Sequence, residues 1–283
     1  MTRAKILFQG FKNDRRAISP AISTVILTSA VIVLLLVTIT FANNYLNVRM
    51  AENEFSSVKQ FMQTVGLQID DVAWIIGRTQ TIRYASKFGQ MNFESSALNY
   101  TVYVNNDVYL ANYSTGTLLF NMPIDKYSIS NNYYERIFPS SHSSFLQKGT
   151  SAPIAHIYMI EKVPMNDGNF IRIVVAPSIR MLNSTISIGG EEKHYFKFYL
   201  PLLSSGTHPR HSQSVTLSSN TVLAKTEGSI NKVKIEISFL KSSLGFNEEF
   251  FNFESIEEEV NIPDDSIIEF YTGEVIVSLG LHV

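Results

Sequence analysis

From Ile18 to Val48 the chain carries no charged side chain, although charged residues stand on both sides of this run. Arg15 and Arg16 precede it, and Arg49 follows it. Its most apolar part, positions 21–42, contains 22 residues, which at ~1.5 Å per residue is enough to cross a ~30 Å hydrocarbon layer. The sequence therefore predicts a membrane-spanning helix, with the apolar positions Ile22, Val25, Ile26, Leu27, Val31, Leu34, Leu35, Leu36 and Ile39 at its centre.

The residues at the start of this run predict that it stays on the mature protein. A removable secretory signal has an apolar core of about 7–15 residues followed by a small-residue cleavage site. Here the run is longer, and the small residue Ala17 precedes it. Cleavage between Ala17 and Ile18 would remove a basic leader of residues 1–17 and leave the helix in place. Pro20 would then be third in the new chain, in a first helical turn that needs no amide donor there.

The order Arg15-Arg16-Ala17-Ile18-Ser19-Pro20, followed by the uninterrupted apolar helix, resembles the start of archaeal type IV pilins and pilin-like proteins, which carry a class III signal peptide. The resemblance covers roughly the first 50 residues. It implies cleavage between Ala17 and Ile18 by a prepilin peptidase, with Arg15, Arg16, Ser19 and Pro20 in the recognised sequence. It also implies the family's partners, namely identical or related pilin subunits, a pilus assembly ATPase and a membrane platform.

A plain single-pass signal-anchor is the alternative for the same segment, because it needs only apolar length and basic residues on the cytoplasmic side. Arg3, Lys5 and Lys12 add to that basic side. Both interpretations place the precursor in the cell membrane with a cytoplasmic N-terminus. Both also place most of the chain outside the cell.

Beyond the uncharged run the helical period continues, which predicts one helix over residues 18–77. Its first half is apolar all round, and its second half is apolar on one side only. We expect this stripe to pack on the protein's own β domain, with a homomeric coiled coil as the alternative. Trp74 is expected where the helix meets the sheet, and Gly77 is expected to end the helix. The stripe comprises Phe41, Tyr45, Val48, Ala51, Phe55, Val58, Met62, Val65, Ile69, Val72 and Ile76.

Residues 78–283 show the alternation and turn spacing of an antiparallel, sandwich-like β domain, so the predicted fold class is α+β. One continuous domain is favoured over a division near residue 205. Exposed loops are predicted at 127–150 and 204–219. The predicted strands comprise hairpins at 100–113, 156–176 and 185–200, a strand at 232–240 with one wet face, and a closing hairpin at 267–281 that turns at Thr272 and Gly273.

The sequence carries no motif for catalysis or for a cofactor. It lacks a P-loop, a dinucleotide fingerprint, a Gly-x-Ser-x-Gly elbow and a His-Glu-x-x-His pair. With no cysteine it has neither disulfides nor thiolate metal sites, and a net charge of −2 disfavours nucleic-acid binding. His208 with His211, and Asp264 with Asp265, are the weak metal candidates. The histidine pair is interpreted as part of an exposed loop, and the aspartate pair as a turn. We therefore expect no enzyme, no cofactor and no bound metal.

Three N-glycosylation sequons begin at Asn99, Asn112 and Asn183. Such sequons arise often by chance in a chain rich in Asn, Ser and Thr, but an exported domain makes them candidate sugar sites. They predict that the segments carrying them are solvent-facing loops of a surface glycoprotein.

The sequence thus predicts a structural subunit of an archaeal type IV pilus-like surface filament, with cell adhesion as a candidate role. The precursor would be anchored in the membrane, and the mature chain would assemble through its apolar helix after the leader is cut. The alternative is a membrane-tethered surface binding protein that does not polymerise, or a minor pilin-like subunit.

Overall fold

The structure is a computed structural model that describes residues 15–105, 107–130, 132–161, 169–188, 190–209 and 212–280, without the side chains of residues 15–21, 188 and 191. It divides into two compact units, Met1–Met50 and Ala51–Val283. Most of the predicted leader lies outside the described residues. The same is true of the side chains at the predicted cleavage and recognition positions, so those predictions stay predictions.

The long predicted helix is present as helix α1, Arg15–Ala73, which has 59 residues. It ends before the predicted stop at Gly77. The Ile75 amide donates to the Val72 carbonyl in a turn, and the Gly77 amide donates to the carbonyl of Ser219 on a strand. The chain therefore leaves the helix early because its backbone groups pair with the sheet, and Gly77 takes a positive φ of 80° in that connection. Ile76, predicted as part of the apolar stripe, is 66% exposed.

The described residues after the helix contain eleven strands and two short helical segments. The strands are β1 Thr79–Arg83, β2 Gln90–Val104, β3 Val108–Pro123, β4 Tyr133–Phe138, β5 Leu146–Lys148, β6 Ala155–Glu161, β7 Phe170–Pro177, β8 Ile179–Ile188, β9 Glu191–Ser205, β10 Ser214–Ser238 and β11 Glu257–Leu279. A 3-10 turn at Ser242–Leu244 and helix α2, Glu248–Phe251, lie between β10 and β11.

These strands form one large, mostly antiparallel sheet in the order β4-β6-β7-β3-β2-β10-β11-β9-β8-β5, and β1 pairs with β10. The predicted hairpin pairs β2 with β3, β6 with β7, and β8 with β9 are all antiparallel. Two pairs are parallel, β9 with β11 and β5 with β8. The α+β prediction is therefore confirmed at the level of a long apolar helix followed by a large β-sheet domain.

The predicted closing hairpin at Thr272 and Gly273 is wrong. Both residues lie inside β11, where Thr272 pairs with Leu223 and Gly273 with Val222 of β10. The glycine serves a close approach rather than a turn, because a Cβ at this position would lie 2.3 Å from the Ala73 carbonyl oxygen. The Thr-Gly pair looks like a turn in the sequence, because the helix end that packs on this strand is distant along the chain and leaves no local signal.

Both predicted loops also contain sheet. Residues 127–150 include β4 and β5 and the fully buried Phe145, and residues 204–219 include the buried start of β10. Polar side chains misled the prediction here, because Ser214 and Thr216 are buried beside Val215 and Leu217. The buried Thr216 hydroxyl is satisfied by a distant partner, since Thr216 Oγ1 donates to the Gly280 carbonyl at 2.7 Å.

Two hydrophobic clusters cover opposite faces of the central strands. On β6, Ile157 and Met159 join the cluster that includes α1, whereas Tyr158 and Ile160 join the other cluster. Every residue of β6 is buried, which is why this segment is apolar without alternation. The second cluster is rich in aromatic rings, including Phe145, Phe198, Phe246, Phe250, Phe251, Phe253 and Phe270.

Candidate membrane and assembly helix

In the first compact unit, residues 22–48 present an uncharged, apolar helical surface that no other described residue of this unit covers. Every described side chain from Ile22 to Met50 is exposed. The predicted contact residues are 51–67% exposed, with Leu34 at 67%, Leu35 at 53% and Leu36 at 60%. Within the described residues, this helix is the one long and apolar enough to cross a membrane. The remaining exposed positions of the predicted set are Ile22, Val25, Ile26, Leu27, Val31 and Ile39.

Four hydroxyl groups in this segment, those of Thr28, Ser29, Thr38 and Thr40, are satisfied within the helix. Thr28 Oγ1 donates to the Thr24 carbonyl at 2.9 Å, and Ser29 Oγ donates to the Val25 carbonyl at 2.7 Å. Thr38 and Thr40 make the same contact four residues back, at 2.7 and 2.8 Å. A hydroxyl that bonds to its own helix needs no water or partner, so these residues can enter an apolar environment without an unsatisfied donor.

In the second unit the same helix packs on the sheet. From Ala51 to Val72 the predicted stripe is 0–4% exposed, and its residues from Phe55 onward belong to the cluster that also contains residues of strands β6 and β7. Gly66 allows the close contact, since a Cβ there would lie 2.5 Å from Ile157 Cδ1. The packing prediction is confirmed for this part of the helix, and these side chains are not free to form a coiled-coil seam.

Glu54 ties the helix to the loop before β2. Its carboxylate accepts hydrogen bonds from the backbone amides of Lys87, Phe88 and Gly89 at 2.9–3.2 Å, and from the Ser86 hydroxyl at 2.6 Å. Consecutive amides pointing at one carboxylate form a compact anion-binding arrangement. This role of Glu54 is not evident from the sequence, because nothing in the loop residues indicates a partner 32 or more residues away.

Asp70 makes the corresponding contact near the end of α1. It accepts from Trp74 Nε1 at 2.9 Å and from both terminal nitrogens of Arg180 on β8, at 2.8 and 3.2 Å. The Arg180 guanidinium lies 5.3 Å from the centre of the Tyr199 ring, and Trp74 packs edge-on against the same ring at 5.2 Å. Trp74 therefore lies where the helix meets the sheet, as predicted.

The three sequons do not lie in loops, which corrects that prediction. Asn99, Asn112 and Asn183 are in strands β2, β3 and β8. Asn99 is 8% exposed, and its amide donates to the Ser238 hydroxyl at 3.2 Å. Asn112 and Asn183 are exposed. Accessibility differs among the three asparagines because successive side chains of a strand point to opposite faces of the sheet. An Asn on the outer face is as accessible as one in a loop.

The predicted turn at Asp264 and Asp265 is wrong, because both residues are exposed positions inside β11. His208 and Asp265 each contact residues that are distant along the chain. The His208 ring stacks on Phe93, with centroids 5.6 Å apart, and its Nε2 lies 2.9 Å from the Ser205 hydroxyl. Partial burial lowers the pKa of His208 below its usual value. His211 lies outside the described residues. Asp265 accepts from the Ser229 hydroxyl at 2.8 Å. Among the residues with described positions, no three His, Asp or Glu side chains are grouped to hold a metal ion.

No protein-family model matches the chain, and neither a curated protein nor a solved structure matches it.

Proposed function

We propose that this protein is a structural subunit of an archaeal type IV pilus-like surface filament. In this proposal the precursor is held in the cell membrane by α1, and the sandwich-like β domain is outside the cell. Cleavage between Ala17 and Ile18 then frees the helix for assembly with neighbouring subunits. The observation that carries the proposal is the uncharged helical surface of residues 22–48, exposed along its whole length.

Burial of the apolar area that this helix leaves uncovered would be energetically favourable. Fully burying a Val, Leu or Ile side chain is worth about 1.5–3 kcal/mol relative to leaving it in water. Each of the nine predicted contact residues is more than half exposed. A single chain in water would therefore lack the large stabilisation that burial of these side chains provides. Lipid covers such a surface in a precursor, and other copies of the same helix cover it in a filament. The helix can exchange lipid for neighbouring helices because its apolar segment carries no charged residue. Each charged residue there would cost ~2.5–3.5 kcal/mol.

The small and hydroxyl residues support helix-to-helix contact. Thr24, Thr28 and Ala30 interrupt the bulky aliphatic surface, which lets neighbouring helices approach closely. Because the Thr28 hydroxyl donates to its own helix, this close approach would not bury an unpaired donor.

The filament proposal is tested by a pair of charge substitutions on one helix. Leu35→Lys places a cation in the uncharged surface, and we expect it to abolish surface filaments. Leu67→Lys is the matched control, because Leu67 is 57% exposed on the part of α1 that packs on the sheet. Filaments should be isolated by shearing and counted by electron microscopy. Normal filaments from Leu35→Lys would contradict a core made of these helices.

Mass spectrometry of the mature N-terminus separates the proposal from its alternative. A chain beginning at Ile18 supports a processed filament subunit. An intact Met1 leader supports a membrane-tethered surface binding protein, for which the same apolar helix would be an anchor. Abundance in sheared material then distinguishes a major subunit from a minor one, because a major subunit dominates that material.

A further inference from the structure

The short segment that follows the apolar run has the composition of a membrane–water interface. We name residues 43–49 the collar; it contains three asparagines, one tyrosine and one arginine, all exposed. On an ideal helix Asn43, Asn44 and Asn47 lie on one side, whereas Tyr45 and Arg49 lie on the other. Amides, a phenol and a guanidinium are groups that suit the headgroup layer, and Tyr is enriched there in membrane proteins.

The arginine side chain reaches back along the helix towards the apolar run. Arg49 Nε donates to the Tyr45 hydroxyl at 3.3 Å, and its guanidinium carbon lies 5.4 Å from the centre of the Tyr45 ring. Helical side chains lean towards the N-terminus, so this contact brings the cation to the level of the preceding turn. The tyrosine ring holds the guanidinium there.

The axial position of this cation matches the depth of lipid phosphates. Tyr45 is three residues beyond Ala42, the last residue of the most apolar part, which is about 4.5 Å along the axis at ~1.5 Å per residue. A bilayer ~30 Å thick in hydrocarbon and ~40–45 Å thick with headgroups leaves about 5–7 Å for the headgroups on each side. The guanidinium therefore lies within that layer when the apolar residues span the hydrocarbon.

We infer that Tyr45 and Arg49 form a binding site for the phosphate of a lipid headgroup at the outer surface of the membrane, which sets how deep the helix lies. The planar guanidinium offers donors in a fork that matches two phosphate oxygens, and the phenol hydroxyl is a further donor beside it. This inference rests on the proposed membrane-anchored precursor and adds to it the lipid group that the precursor recognises.

The absence of cysteine from the natural chain makes the depth measurable. The full chain is reconstituted in vesicles of phosphatidylcholine and phosphatidylglycerol, with single cysteines introduced in turn at Leu35, Ala42, Asn44 and Asn53. A membrane-impermeant maleimide is then added on the side of the β domain. We expect protection at Leu35 and Ala42, slow labelling at Asn44 and fast labelling at Asn53.

Substitution of the cation supplies the decisive comparison. With Arg49→Gln the helix loses the phosphate contact that sets its depth, so the labelling rate of a cysteine at position 44 should differ from that in the parent chain. Arg49→Lys keeps a cation and should restore slow labelling at this position. Arg83→Gln, which changes an exposed arginine at the end of β1, is the matched control and should leave the profile unchanged.

The outcomes separate this inference from the proposed function. Fast labelling at Leu35 would mean that the helix does not enter the membrane, and both the anchor and the phosphate site would then be wrong. Protection at Leu35 together with equal labelling of position 44 in the parent chain and in Arg49→Gln would leave the anchor standing and overturn the phosphate site alone.

Discussion

Substitution of Gly273 tests the helix–sheet contact, because this glycine lets the end of α1 approach β11 closely and does not form the predicted turn. It lies inside β11, and a Cβ at this position would be 2.3 Å from the Ala73 carbonyl oxygen, 3.0 Å from the Ala73 carbonyl carbon and 3.1 Å from Trp74 Cζ3. Two of these atoms belong to the backbone, so no side-chain rotation can relieve the contact. Gly273→Ala must therefore separate β11 from the end of α1 by about 1 Å to reach ordinary contact distances.

The free-energy cost follows from what such a displacement disturbs. Val72 and Ala73 are 0% exposed at this helix end, and Trp74 is held by Asp70 and by the Tyr199 ring. Overpacking of this kind typically costs 1–3 kcal/mol, and we expect about 2 kcal/mol for Gly273→Ala. In a domain of this size that amounts to a fall in the melting temperature of roughly 4–8 °C.

Gly228→Ala is the matched control for this substitution. Gly228 is also a strand glycine, in β10, but a Cβ there would meet nothing within 4 Å. Alanine at this site should be neutral or slightly stabilising, because it restricts the unfolded chain. Both variants should be unfolded in urea as full chains in the same detergent and followed by near-ultraviolet circular dichroism. Equal midpoints for the two variants would refute the close approach of helix and strand.

Three further outcomes are expected. Burial lowers the pKa of His156 from its usual 6.5 to about 4. The stability that depends on the neutral imidazole is therefore complete above about pH 6.5, and about 3 kcal/mol of it is lost as the pH falls towards 4. Urea titrations of the parent and His156→Gln chains should differ in this window. Glu54→Ala leaves three loop amides without their acceptor and should lower the free energy of unfolding by about 2 kcal/mol. Gln60→Ala, at an exposed position of the same helix, is the control and should lower it little. The expected signature of Glu54→Ala is faster amide exchange confined to residues 86–89. If the exported chain is glycosylated, mass spectrometry should find the sugar at Asn112 and none at Asn99, and a sugar on Asn99 would show that this strand is not buried as described.

The sequence was most informative where a single element decides its own environment. An uncharged run of this length is helical and apolar whatever surrounds it, and the spacing from Ala51 to Val72 marked a buried face because a helix repeats every 3.6 residues. The local hairpins were predictable for the same reason, since β2 and β3 are joined by a short turn. The Trp74 contact followed from its place at the end of the apolar stripe.

The wrong predictions share a different cause, which is pairing between residues far apart in the chain. Thr272 and Gly273 look like a turn in sequence but lie inside β11, where β10 and β9 pair with them on both sides. Buried polar residues such as Thr216 look like loop residues until their partners are known. Asn99 looked accessible until Ser238 of β10 was placed beside it.

For this protein the sequence alone determined the helix, its uncharged surface and the apolar stripe, since these depend on the period and polarity of consecutive residues. Only the tertiary structure decided the order of the strands, the parallel pairs and the carboxylate contacts of Glu54 and Asp70. Those features depend on which distant backbone groups and side chains meet, and no local pattern encodes that choice, because many partners would satisfy the same donor or acceptor equally well.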